Sequence, residues 1–216
     1  MPVQSSSTPP PRRGRPPSSA KRGAILEAAT EVFLREGYNG TNLDVVAKIA
    51  DVSKQTVYSH FTDKETLFLS VVEAARAEAP ASLMAPGRRL LSASDLRGSL
   101  VEFGEALLEL VLSDRVAALR RVMIGELARM PKLRELWAAG APAELWLRLA
   151  GEFGELAADG VVDIPDVPAA VTQLFGLLGY EGQSKSLYGV IALTSAEKRA
   201  IAESAAELFV RAYGPR

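Results

Sequence analysis

The chain has 216 residues, 48% of them apolar and only 6% aromatic, with a formal net charge of −1 and no cysteine. Neither a disulfide framework nor a thiolate metal site can be built from it. The molecule as a whole is not a polycation either, so any case for nucleic acid rests on local charge asymmetry. The wealth of Ala and Leu favours helices, because these residues lose little on entering one, whereas strands prefer branched and aromatic side chains. The missing cysteines fit a reducing cytoplasm. No apolar leader or bilayer-length apolar run stands out, so a soluble, cytoplasmic, all-α protein is expected.

Residues 1–17, MPVQSSSTPPPRRGRPP, hold Pro, Ser and Gln with almost nothing to bury, and read as a disordered arm. From Lys21 onward Ile25, Ala28, Ala29, Val32 and Phe33 recur at helical spacing, with Gly37 as the stop. Thr41 is placed to cap a short second helix bearing Leu43, Val46 and Ala47, with Asp44 positioned as in a capping box. Ser53 caps a third helix. Thr62 with Glu65 announces a fourth, carrying Leu67, Phe68, Val71, Val72 and Ala75 and stopping near Pro80. After a linker at Pro86–Arg89, Asp95 or Ser94 starts a helix whose stripe is Leu96, Leu100, Phe103, Leu107 and Leu110. Further helices follow to about Met130, from Pro131 to Gly140, from Pro142 to about Asp159, and from Asp166 to about Tyr180. A Gly-rich loop from Glu181 leads to a Thr194/Glu197 capping box and a last helix with Ile201, Ala205, Leu208 and Phe209. The expectation is nine or ten helices in an arm (1–17), a small N-terminal unit (18–80) and a larger helical unit (81–216).

The segment SKQTVYSHF, residues 53–61, sets many polar side chains of different kinds on a thin apolar stripe of Val57 and Phe61. Two helices joined by Asp51-Val52-Ser53 cross closely only over a small residue. Ala47 supplies it, Val46, Val52 and Val57 supply the core, and Asp51 must accept a left-handed backbone. That is a helix-turn-helix pattern, whose second helix enters a DNA major groove. Gln can pair with adenine, Lys with guanine or phosphate, and a Thr methyl with thymine, while Tyr58, Thr56 and Ser59 can donate to phosphates. The chain's one histidine, His60, has no other His or Cys with which to hold a metal and no partners for a catalytic triad. It is a phosphate or base contact, or a packed helix end. Lys64 begins the fourth helix, where free N–H groups can also bind a phosphate.

The run ILEAATEVFLREGYNGTNLDVVAKIADVSKQTVYSHFTDKETLF resembles the DNA-binding domain of TetR-type transcriptional regulators, most tellingly in EGYNGTN, VSKQTVYSHF and DKETLF. The resemblance covers about a quarter of the chain. It implies that Thr41, Lys54, Gln55, Thr56, Tyr58, His60 and Lys64 lie at or near DNA, and it departs in having Asp51 where Gly is usual. RRVMIGELARMPKLRELW looks like the AefR-like subgroup of these regulators.

In the larger unit Glu102, Glu105 and Glu109 recur at helical spacing, and a charged outer face accounts for them better than acid–base chemistry. With no nucleophile, metal ligand set or phosphate-cradling loop, neither an enzyme nor a cofactor is expected. Phe103, Leu107, Met123, Met130, Trp137, Trp146 and Phe153 are core candidates one by one and, as a set, could line an apolar cavity for a small apolar or aromatic effector. Regulators of the resembled family commonly sense small molecules there. Leu145 and Leu149, then Val171, Leu174, Phe175 and Leu178, with Gly176 and Gly179 allowing close approach, form stripes expected to pair two copies, because one helix-turn-helix makes too few base contacts alone. The N-terminal RRGRP, with Arg13 and Arg15 about Gly14, closely resembles the AT-hook, whose extended Arg-Gly-Arg lies in a narrow A·T minor groove. The expected protein is a dimeric, effector-released regulator of palindromic operator DNA, a repressor rather than an activator. The competing reading is a helical carrier or scaffold whose N-terminal unit does not read DNA.

Overall fold

The computed structural model describes residues 19–77, 81–85, 87, 89–138 and 143–214, and among them the chain is helical throughout with no strand. The helices are α1 (Ser19–Gly40), α2 (Leu43–Ile49), α3 (Lys54–His60), α4 (Lys64–Ala77), α5 (Ala81–Met84), α6 (Leu96–Val111), α7 (Asp114–Glu126), α8 (Pro131–Ala138), α9 (Ala143–Ala158), α10 (Val167–Lys185) and α11 (Ser195–Tyr213). The count exceeds the expected nine or ten by α5. A four-residue turn is too short to leave a periodic signal. The arm, with Arg13 and Arg15, lies outside the described residues, as does Pro142.

Local chemistry explains most boundaries. Side chains of Ser53, Asp95 and Asp166 accept from the backbone N–H of Thr56, Gly98 and Ala169, and Thr194 with Glu197 forms the reciprocal capping box. Gly37 breaks α1 with φ 69°, a conformation that glycine adopts without steric cost. Two expected caps are corrected. Asn42, not Thr41, caps α2, because the Thr41 hydroxyl turns back to the Gly37 carbonyl (2.7 Å) left unpaired by that break. At α4 Asp63 rather than Thr62 accepts from the Thr66 N–H (2.7 Å), a bond that also holds the Asp63 carboxyl below its usual pKa. The loop expected from Glu181 begins only after Lys185, because Glu181–Lys185 form the last turn of α10. Gly182 is there for packing, since a Cβ on it would stand 2.5 Å from a Leu108 methyl of α6.

Two hydrophobic cores form. The larger joins α6, α9, α10 and α11 through residues such as Leu100, Leu108, Leu149, Phe153, Leu174 and Phe209. At its centre Gly104 lets α6 approach α11 closely, because a Cβ there would lie 2.8 Å from the Ala202 Cβ. Glu105 and Glu109 line the charged margin of the same pair, bridged to Arg199 and Lys198 of α11. The second core belongs to α1–α4, with Phe33, Val57, Phe61 and Phe68 fully buried, and is completed from α7 and α8 by Leu119, Met123, Met130 and Leu133. Polar ties cross the same boundary: Arg115 grips Glu27 with two bonds (2.9 and 3.0 Å), and Asn39 donates to the buried Glu126 (3.3 Å). Among the described residues no helix is long and apolar enough to cross a membrane.

Candidate nucleic-acid interface and effector cavity

Helices α2 and α3 meet over Ala47 and Val46, both buried, and the turn between them is closed by Val52 N–H donating to the Ala47 carbonyl (3.0 Å). Asp51 takes the left-handed backbone expected of it, φ 51°. Val57 is anchored in the core, so Lys54, Gln55, Tyr58 and Ser59 are turned to solvent on one face of α3. Tyr58 is 47% exposed, which leaves its ring and hydroxyl open to a partner. Gln55 makes no hydrogen bond to a described residue, which leaves its amide available. Lys54 pairs with Asp44 of α2 (2.7 Å), which raises the lysine pKa. Both side chains are more than half exposed, so exchanging this partner for a phosphate costs little. The Thr56 hydroxyl shares a bond with Ser53 Oγ (2.8 Å), and the Ser59 hydroxyl donates to the Thr56 carbonyl (2.8 Å). Arg22 of α1 lies over the Phe61 ring at 5.2 Å and adds an exposed positive charge at the end of α3.

Three other expected contacts are turned elsewhere. Thr41 is buried, its hydroxyl spent on Gly37. Lys64 donates to the carbonyls of Asn39 and Thr41 (3.2 Å each) and rests on the Tyr38 ring, so it clamps the α1–α2 loop onto α4. His60 is a packed helix end: its Nε2 is shielded from solvent and has no hydrogen-bond partner among the described residues. Arg22 and Asn42 had been missed.

Where the two cores meet, a cavity of about 300 Å³ opens between α4, α6, α7, α8 and α10. Leu107, Met123 and Trp137 line it, as expected, joined by Val72, Phe175, Arg76 and Arg120. Four expected members do not. Phe153 is fully buried in the larger core and stacked on Phe209, Met130 belongs to the second core around α1–α4, and Trp146 packs against the larger core. Phe103 stands behind the wall, edge-on to Phe175 at 5.9 Å, and borders a separate recess with Leu83, Leu90 and Leu91. Arg76 and Arg120 join the lining without having been expected there. Each follows an apolar cavity residue, Val72 or Val116, by one helical turn, so each sits on an inward stripe.

The residues expected to pair two copies are corrected as well. Leu145, Leu149, Val171, Leu174 and Leu178 are buried within one subunit, and Phe175 faces the cavity. The outward faces of the same two helices carry other residues: Leu147 (63% exposed), Gly151 and Gly154 on α9, and Gly176, Leu177 and Tyr180 (78% exposed) on α10. Around Gly151, Gly154 and Gly176 nothing stands within 4 Å of where a Cβ would be.

Residues 98–215 match the family described as AefR-like transcriptional repressor, C-terminal domain, and residues 25–71 match the bacterial regulatory proteins of the tetR family. The chain belongs to the TetR family. This family consists of DNA-binding regulators, not enzymes. The chain's first helices are 44% identical over 63 residues to the HTH-type transcriptional activator FasR of Mycolicibacterium smegmatis (29% of each chain). They are 40% identical over 65 residues to the HTH-type transcriptional repressor BepR of Brucella suis (30% of this chain, 31% of that one). The chain thus matches under a third of the length of these curated relatives. Among solved structures, a TetR-family transcriptional regulator from Mesorhizobium loti superposes with a TM-score of 0.79 at 29% identity, covering 91% of this chain and 99% of that one. The Flavonoid-responsive Regulator FrrA gives 0.72 at 28% identity, covering 92% and 100%.

Proposed function

We propose that the protein is a homodimeric, cytoplasmic repressor that reads a palindromic operator and is released from it by a small molecule bound in the cavity between its two cores. One observation carries the reading: the cavity is walled by both cores at once. Val72, Leu119 and Met123 belong to the reading-head core and Leu107 to the larger one, so a guest that fills the space changes how α4 seats on α7. A shift of that kind alters the spacing of two reading heads on DNA, the form of coupling that is worth about 1–3 kcal/mol and is reciprocal. The match of the C-terminal half to a repressor domain supports the sign.

On DNA, Gln55 reads base edges, Lys54, Tyr58 and Ser59 meet phosphates or bases, and Arg13 and Arg15 of the arm enter the flanking minor groove. Pairing of two copies through the outer faces of α9 and α10 is supported by their exposed Leu147, Leu177 and Tyr180 and by glycines that leave room for close approach. Fluorescence anisotropy with the DNA upstream of the protein's own coding region tests the reading. Salt-dependent binding with two subunits per site is expected, and sequence-independent binding of a monomer would overturn it.

A further inference from the structure

Most arginines of the described residues have a carboxylate partner: Arg35 with Glu31, Arg97 with Glu207, Arg115 with Glu27, Arg148 with Glu152, Arg211 with Glu207. The two in the cavity, Arg76 and Arg120, have none among the described residues. Arg76 donates one Nη1 bond to the Leu136 carbonyl (2.6 Å), and Arg120 one Nη1 bond to the Val111 carbonyl (3.3 Å). Each guanidinium has five N–H donors, so most of each fork is left without a partner among the described residues. Among the described residues no Asp or Glu lines the cavity, and Gln183 is the one polar side chain there besides the two arginines and the Trp137 indole. The rest of the wall is apolar: Val72, Leu107, Leu110, Val111, Val116 and Phe175 among others. Burial lowers the pKa of both guanidiniums from its ordinary value, with Tyr188 opposing the effect at Arg120. A cation drawn partly out of water without a counter-charge is costly, and both guanidiniums are half-buried.

We propose that the effector is an amphipathic organic anion, a carboxylate on an apolar body, whose charged end is met by Arg76 and Arg120 while the body lies against Phe175, Trp137 and the aliphatic wall. The inference rests on the cavity being the effector site. The planar carboxylate suits the guanidinium fork, forming two parallel charge-assisted hydrogen bonds where a lysine would offer a point charge. The size agrees: about 300 Å³ lies at the small end of ligand pockets, enough for a short acyl or aryl acid and too little for a nucleotide-bearing thioester. Supplying the missing counter-charge would also make the guest's binding depend on its acid group more than on its hydrocarbon.

The test compares isosteric acids and amides. The full chain carries Trp146→Phe, so that Trp137 on the cavity wall is the one tryptophan left of the two. Phenylbutanoate and octanoate, each beside its neutral amide, are titrated by calorimetry and by Trp137 emission. The acids are expected to bind about tenfold or more tighter than their amides. Arg120→Gln and Arg76→Gln should each remove most of that preference while leaving amide binding within about twofold, and Arg120→Lys should restore part of it. Amides that bind as tightly as acids to the unaltered arginines would overturn the anion while leaving the cavity as effector site. So would Gln variants that weaken acid and amide alike. If neither acid nor amide binds up to millimolar concentration, the effector cavity and the anion fall together.

Discussion

Replacing Gly176 by Ala separates a lone subunit from a paired one. Gly176 lies in the interior of α10, and beyond its chain neighbours and its own helix backbone no described atom of the subunit stands within 4 Å of the position its Cβ would take. In an isolated subunit the substitution is favourable on two counts. Ala is a better helix former than Gly by about 0.5–1 kcal/mol, and it narrows the unfolded ensemble. If the outer face of α10 packs on a second copy, the same methyl enters a closed seam, where overpacking costs about 1–3 kcal/mol. Two-fold symmetry places both copies of the methyl in that one seam. A loss of about 2 kcal/mol in association raises the dimer dissociation constant roughly thirtyfold. Sedimentation equilibrium should therefore show Gly176→Ala dissociating at concentrations where the parent chain is paired, while chemical denaturation of the dilute, monomeric variant shows a more stable fold. A Gly176→Ala protein that keeps its dimer affinity and melts higher would refute the interface assigned to α10.

Four further outcomes are expected. Tyr58→Phe removes only a hydroxyl and should weaken binding to all DNA sequences by about 0.5–1.5 kcal/mol, whereas Gln55→Ala should cost about 1–3 kcal/mol on the operator and little on scrambled DNA, read by anisotropy on both. Deleting residues 1–17 removes Arg12, Arg13 and Arg15 and should lower the slope of log affinity against log salt by about 2.7 per subunit, with a greater loss of affinity on A·T-rich flanks. Gly104→Ala, with its Cβ forced to 2.8 Å from Ala202 and 2.9 Å from Leu178, should destabilise the fold by about 1–3 kcal/mol in urea, the opposite sign to Gly176→Ala in dilute solution. The hydrogen bonds from Arg115 hold the Glu27 pKa below its ordinary value, so this pair stabilises the fold at neutral pH and the gain is lost as pH falls through the lowered value. The pair is largely exposed, so Glu27→Gln should cost no more than about 1 kcal/mol at neutral pH, with the two melting curves converging in acid.

The reading head was legible because its signals are local. Ser53 precedes an apolar position by the spacing a cap needs, and Asp51 follows Ala47 at the one point where two short helices must turn. The choice between Thr41 and Asn42 was not legible, because both residues cap helices well and the decision was made by the carbonyl that the break at Gly37 exposes. In the larger unit the periodicity found the apolar stripes of α9 and α10 but could not say what covers them. Leu145, Leu149 and Leu174 are covered by their own subunit, and the faces left open carry glycines that contribute no hydrophobic signal. The expected lining of the cavity is drawn from large apolar residues, of which Phe103, Met130, Trp146 and Phe153 belong to or pack on the two cores instead. Its distinguishing side chains, Arg76 and Arg120, read in sequence as charged surface, since the neighbours that desolvate them come from other helices.

The reading head also borrows part of its interior. Leu119, Met123, Met130 and Leu133 lie far along the chain yet close the core around Phe33 and Val72. A hybrid regulator that grafts residues 1–80 onto a different sensory half would inherit a hole wherever those four side chains are not matched. Buried large-to-small losses of that kind cost about 2–5 kcal/mol each, comparable to the whole stability of a small domain. Operator specificity can therefore be transplanted between such proteins by exchanging the exposed positions of α3, or by moving α7 and α8 together with α1–α4, but not by cutting at the linker.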